Sequence, residues 1–264
     1  MFRPGDYDLI DLSIGLEADI ASEPWPPAFE TFDHEDGAER LADRLREIGV
    51  DGIQASDFPE GIGLAWEELR AITHTGTHMD APWHYGPESA GAPAKTIDQI
   101  PLDSACGQAV VLDVTDLSPG TEITPDHIDD RLAAINHDLE AGEIVLLETG
   151  ADDLWGSADY LTEFPGMGAE ATNHLVEQGI RVIGTDAYGF DKPFSAMGDR
   201  FAETGDPGEL WPAHFAGREV EYCQIEKMGN LDALPRRTDI PLVTFPIKII
   251  GASAGWVRPV AFIE

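Results

Sequence analysis

Three of the chain's eight histidines fall within one short stretch, His74-Thr75-Gly76-Thr77-His78-Met79-Asp80-Ala81-Pro82-Trp83-His84, with an aspartate between the second and the third. Neutral imidazole nitrogen and carboxylate oxygen are ligands for Zn²⁺, and also for Mn²⁺ or Fe²⁺. The chemistry this points to is that of a divalent cation: polarisation of a bound carbonyl and activation of water. A polar turn with incidental histidines is the plain alternative.

His74 and His78 are four apart, which on a helix would place them on one face. The backbone argues against a helix here. Gly76 sits between them, Pro82 follows, and the two threonines favour extended chain. The stretch is expected to leave a strand near Thr73 and form an irregular loop. In extended backbone His78 and Asp80 project to the same side. Gly76 allows the chain to fold back, so that His74 can join them.

The run H-T-G-T-H-M-D-A-P-W-H resembles the signature of the cyclase family of metal-dependent hydrolases, which includes bacterial kynurenine formamidase and isatin hydrolase. Two downstream residues gain meaning from it. Alone, His214 after Pro212 reads as a turn residue, and Glu226 between Ile225 and Lys227 reads as a surface residue. In the family a histidine, and twelve residues later a glutamate followed by an Asn-Leu turn, complete the metal site. Here His214 and Glu226 have that spacing, and Gly229-Asn230-Leu231 follows. The strand from Asp8 to Ser13 and Trp25 match the family's N-terminal segment. The resemblance therefore implies one divalent metal, Zn²⁺ or Mn²⁺, on His74, His78 and Asp80. Asp80 could bridge to a second metal held by His214 and Glu226, so the expectation is one or two ions per chain.

His84, four residues beyond Asp80 and past Pro82, is the expected catalytic general acid/base. An imidazole with an unperturbed pKa of about 6.5 can take a proton from water and return it to a leaving nitrogen. A further ligand, or support for one, is its alternative role. Trp25 and Trp83 are candidate substrate-binding aromatics, each equally able to be a packing residue. Asp186 could support the site or cap a turn, and Ser253 and Arg258 lie in a Gly-rich turn without an assigned role. The implied reaction is cleavage of the C–N bond of a small-molecule substrate. Aryl formamides such as N-formylkynurenine, an intermediate of tryptophan catabolism, and cyclic amides such as isatin are the substrates suggested. A non-catalytic metal-binding scaffold or small-molecule-binding module is the competing class. The family also implies a homo-oligomer, dimer or tetramer.

Several elements must position these residues. Tyr7–Ser13 alternates as a strand. Pro24-Trp25-Pro26-Pro27 is a stiff loop. Residues 36–50 carry apolar side chains at helical spacing and end at Gly49. Leu64, Trp66 and Leu69 alternate towards the metal stretch. Gln108–Val114 is a strand. Thr124-Pro125 opens a helix whose stripe of Ile128, Leu132, Ile135 and Leu139 runs to Gly142. Ile144–Thr149 is apolar throughout, as in a strand buried on both faces. A helix over 169–178 and a strand over 181–186 complete an α/β rhythm. Residues 187–215 read as loop, and 220–226, 242–250 and 257–263 as strands. The expected fold is α/β: a mixed β-sheet or partly closed barrel with flanking helices, of the swivelling β/β/α type the family implies, in one domain over 1–264. Segments 30–63 and 192–210 are longer than in compact formamidases and closer to isatin-hydrolase-like members; either could form a lid.

Composition bounds the rest. With 16 basic and 50 acidic residues, the chain has a net charge of −34 and a pI near 4.2. Such a surface is unsuited to nucleic acid or anionic membrane. The acids are interleaved with apolar residues rather than gathered in a tail, which fits a halophilic protein. Molar salt would screen their repulsion over about 3 Å. No apolar run is long enough to span a bilayer, and the polar start is unlike a signal peptide. Cys106 and Cys223 read as reduced thiols in a cytoplasmic protein.

Overall fold

A computed structural model describes residues 4–263, which fall into two compact units. The smaller unit comprises Glu17–Asp19 and Trp25–Ile72. In it β2 (Ala28–Phe32) and β3 (Trp66–Arg70) form an antiparallel hairpin with Phe32 opposite Trp66. Helix α1 (His34–Glu47) follows β2, capped by the Asp33 carboxylate, which accepts from the Glu35 and Asp36 amides. The helical periodicity expected over 36–50 is realised here, and Gly49, at φ 96°, lies just past its end.

The larger unit is built on a nine-stranded mixed sheet. Its strands are β1 (Asp8–Asp11), β4 (His78–Asp80), β7 (Cys106–Asp113), β9 (Ile144–Glu148), β11 (Val182–Thr185), β12 (Cys223–Glu226), β13 (Ile240–Val243), β14 (Ala254–Trp256) and β15 (Val260–Ile263). They are ordered β1-β15-β13-β7-β9-β11-β12-β4-β14. The contacts among β7, β9, β11 and β12 are parallel, and the remaining neighbours are antiparallel. The sheet curls into a half-barrel. Two short ladders lie outside it: β5 (Glu88–Ser89) with β6 (Ala92–Pro93), and β8 (Glu122–Ile123) with β10 (Gly166–Met167).

Strand parity divides the core. Ala109, Val111, Ile144 and Leu146 enter one apolar cluster with Leu12, Met79 and Ile225. Val110, Leu112, Val145 and Leu147 enter the other, where α3 (Pro125–Ala134) and α4 (Ala169–Glu177) pack through Ile128, Leu132, Ala171 and Leu175. The continuous apolar run at 144–148 is therefore buried on both faces, as expected of a central parallel strand. Among the described residues, no helix is long and apolar enough to cross a membrane.

The structure differs from expectation at four places. The stretch after Thr73, expected as an irregular loop, holds β4 (His78–Asp80), a strand of the main sheet. Helix α3 stops at Ala134, because Asn136 takes a left-handed conformation (φ 52°). The strand expected over 242–250 is β13, Ile240–Val243; Pro246 has no amide to donate to a ladder. Residues 194–204, expected as loop, form α5 (Phe194–Thr204), and α6 (Pro212–Ala216) follows.

Candidate metal centre

The centre rests on two adjacent antiparallel strands. Across β4 and β12, Asp80 stands opposite Gln224 and His78 opposite Glu226. Met79 and Ile225, one residue out of phase, point into the first apolar cluster. Alternation then sends His78, Asp80, Gln224 and Glu226 to the other face together. All four are buried.

His74 joins them through the turn that precedes β4. Gly76 holds φ 64°, and a Cβ there would lie 2.5 Å from Leu16 Cδ2. Two buried groups pin this turn. The Glu23 carboxylate accepts from the Gly76 amide at 2.8 Å. Lys227 Nζ donates to both Glu23 oxygens at 2.8 Å and to the His74 carbonyl at 2.9 Å. His74 Nδ1 then lies 2.9 Å from Asp80 Oδ1, and its Nε2 meets Ser253 Oγ at 3.0 Å. His78 Nδ1 bonds the Gly76 carbonyl at 2.8 Å, leaving Nε2 3.3 Å from Asp80 Oδ1 and 3.6 Å from Glu226 Oε2.

His214 arrives on α6. Its Nδ1 is held by the Asp191 carboxylate, which also accepts from the Ala213 and His214 amides. Its Nε2 lies 3.8 Å from Asp80 Oδ2 and 3.6 Å from Glu226 Oε1. A carboxylate–imidazole pairing of this kind fixes the ring's orientation and would raise the basicity of Nε2 toward a cation. Burial would lower the His214 pKa, but Asp191, with Glu226 and Asp80, raises it to about 9. Burial likewise works to raise Asp80, yet His84, His74 and His78 hold it well below the usual range. Glu226 is raised, by burial first and by Asp80 second.

The donor set fits a divalent cation. His74, His78 and Asp80 each bring a ligand atom within 4.8 Å of the others, as do Asp80, His84 and His214. Among the described residues, His78 Nε2 is buried without a hydrogen-bond partner, and the one close neighbour of the buried Asp80 Oδ1 besides it is His74 Nδ1, itself a ligand candidate. An orphaned imidazole nitrogen facing a carboxylate suits a divalent ion.

His84 sits on the four-residue helix α2 (Pro82–Tyr85), its Nε2 3.8 Å from Asp80 Oδ2 and its side chain one-third exposed. Desolvation lowers its pKa to about 4, aided by His74, His214 and His78 and opposed by Asp80. Trp83, beside it on α2, is half-exposed. Trp25 belongs to the smaller unit, where its side chain is exposed. Asp186 is bonded elsewhere: it accepts from the Thr149 amide and hydroxyl and the Gly150 amide. Arg258 pairs with Asp11.

Glu23, Asp191, Gln224, Lys227 and Ser253 complete the centre but were not assigned a part in it from sequence. Gln224 carried a usable signal, standing two residues before Glu226 on the same strand face. Asp191 carried none, since a loop brings it to His214.

Comparison with known proteins places the chain in a family. The cyclase family model matches residues 10–192. Kynurenine formamidase of Salinibacter ruber is 31% identical over 196 residues, 73% of this chain and 77% of that protein. The Sphingopyxis alaskensis kynurenine formamidase is 26% identical over 253 residues, 95% of each. Among solved structures, an isatin hydrolase bound to the product analogue thioisatinate superposes with a TM-score of 0.74 at 20% identity, covering 98% of this chain and 94% of that one. Isatin hydrolase A from Ralstonia solanacearum gives 0.75 at 22% identity, covering 98% and 93%. The chain belongs to the cyclase family. A metal-dependent hydrolase of amide bonds is the class of protein that this family and site define.

Proposed function

We propose that the protein hydrolyses the C–N bond of a small aryl formamide or cyclic amide, of the kind represented by N-formylkynurenine and isatin. The observation that carries this reading is the convergence of His74, the buried and unpartnered His78 Nε2 and the buried Asp80, with His84 Nε2 3.8 Å from Asp80 Oδ2. His74, His78 and Asp80 would hold the cation. When bound, Zn²⁺ or Mn²⁺ supplies a Lewis acid for the carbonyl and lowers the pKa of water.

The chain's own residues handle the protons. With its pKa lowered to about 4, His84 is neutral near pH 7 and enters the reaction as a base. It takes a proton from water as the new C–O bond forms. It returns that proton to the nitrogen as the C–N bond breaks, giving an amine and a carboxylic acid, which releases water's second proton to solvent to become the carboxylate. Partial exposure lets the imidazole reach substrate, while Asp80, fully buried, would serve to hold the cation. Trp83, next to His84 and half-exposed, offers a ring face to an aryl substrate.

His84→Ala tests the assignment. The variant is expected to keep its metal and to lose about 10²–10⁴-fold in kcat on a substrate the wild type cleaves. Loss of metal together with activity would make His84 a ligand. Full turnover would remove it from the chemistry.

A further inference from the structure

His84 stands on a helix of only four residues, α2 (Pro82–Tyr85), too short to keep its shape unaided, so its place depends on what holds that helix. At the start of α2, the Trp83 amide donates to the Lys95 carbonyl at 3.0 Å. At its end, the Tyr85 carbonyl accepts from Arg218 Nε at 2.6 Å. The last carbonyls of a helix have no partner within it, and a cationic side chain is a fitting donor to them.

Arg218 comes from the turn that follows α6, the helix of His214. Its guanidinium lies over the Phe215 ring, 3.8 Å from the centroid, so it is pinned to α6 as it reaches α2. The backbone around it repeats the link. The Ser89 hydroxyl donates to the Gly217 carbonyl at 2.6 Å, and the Ala90 amide donates to the Arg218 carbonyl at 3.0 Å. Tyr85 is buried, its ring stacked on Tyr222 with centroids 5.1 Å apart. It lies so close to Gly217 that a Cβ there would fall 2.2 Å from Tyr85 Cδ2. With α2 and α6 joined in this way, the His84 and His214 rings end 5.4 Å apart. Arg218 itself is exposed.

We propose that Arg218 is a positioning residue for His84: by tying the end of α2 to α6, it sets the His84 imidazole against that of His214. The proposal rests on the role given to His84 above. A base displaced by about 1 Å can lose on the order of 10²-fold in rate, and a four-residue helix without its terminal donor is free to shift by that much.

Arg218→Ala removes the donor at the surface and leaves the buried side chains in place. The full-length protein, loaded with Mn²⁺, is assayed on N-formylkynurenine and isatin, and its retained metal is counted. The variant is expected to lose about 10–100-fold in kcat with KM little changed and metal retained. Guanidinium chloride, added well below denaturing concentrations, is expected to restore part of the loss by supplying the missing donor. A second readout needs no turnover. In the metal-stripped protein, the His84 ring signals in a ¹H–¹⁵N spectrum are assigned by their absence in His84→Ala. They are expected to move in Arg218→Ala and to return with guanidinium, because the His74 ring lies only 4.2 Å from that of His84. An unchanged kcat, an unmoved His84 signal, or a loss that guanidinium does not reverse would overturn the proposal. So would loss of metal together with turnover, which would make Arg218 a support of the cation. A wild type that cleaves neither amide would instead sink the hydrolytic reading, and the His84 signal would then decide on Arg218 alone.

Discussion

Replacing Lys227 with methionine isolates the contact that shapes the turn from His74 to His78. Lys227 is almost fully buried, as is its partner Glu23. Its ammonium donates to both Glu23 oxygens at 2.8 Å and to the His74 carbonyl at 2.9 Å. Methionine keeps an apolar stem as far as Cε and removes the ammonium. Glu23 is then left buried with the Gly76 amide as its donor at 2.8 Å. Breaking a buried ion pair from one side costs about 3–5 kcal/mol, against a shift of about 2–4 °C in Tm per kcal/mol for chains near this size, so Tm should fall by roughly 6–20 °C. The paired variant Glu23→Leu with Lys227→Met removes both charges, so its loss should be much smaller than that of Lys227→Met alone. Thermal unfolding followed by circular dichroism, with and without added Mn²⁺, measures both. A change in Tm under about 2 °C for Lys227→Met would refute the reasoning. So would a double variant as unstable as the sum of the singles.

Asp191→Asn keeps the shape of the His214 support and removes its charge; divalent metal affinity at any ion that uses His214 or its neighbours is expected to fall about 10–100-fold, read by competition with a chelator. Asp186 gives a pH signature. Its burial raises its pKa to about 7, against the hydrogen bonds from Thr149 and Gly150. Between the unfolded value of about 3.9 and about 7, the native state holds a proton that the unfolded state lacks. Asp186 therefore makes stability decline as pH rises through that window. Asp186→Asn is expected to flatten this part of the difference between wild-type and variant Tm profiles. An unchanged slope would show that Asp186 does not titrate there.

Much of the centre was legible because strand parity and turn chemistry are local. His78 and Asp80 share a face because they are two apart in extended chain, and Gly76 marks the reversal that brings in His74. The apolar run at 144–148 announced a doubly buried strand, and the curled mixed sheet followed from the order of elements. What stayed hidden depended on distant partners. Asp191 reaches His214 by a loop, and Lys227 meets Glu23 across most of the chain length. Helix α5 was hidden for a different reason. Pro193 and Gly205 read as loop residues, but they are the two ends of that helix: Pro193 is its N-cap, and Gly205 takes the left-handed C-terminal position at φ 68°. From His214 and Glu226 alone the spacing was neutral. The resemblance gave them meaning, and the pairing of β12 with β4 places Glu226 opposite His78.

The most direct measurement of the central claim is turnover of N-formylkynurenine and of isatin by the metal-stripped protein, before and after adding back Mn²⁺ or Zn²⁺ at high salt. The account predicts no turnover without metal and recovery, on at least one of the two amides, when the ion returns to a folded chain. A folded protein that takes up no divalent ion, or that cleaves either substrate equally well when stripped, would contradict it.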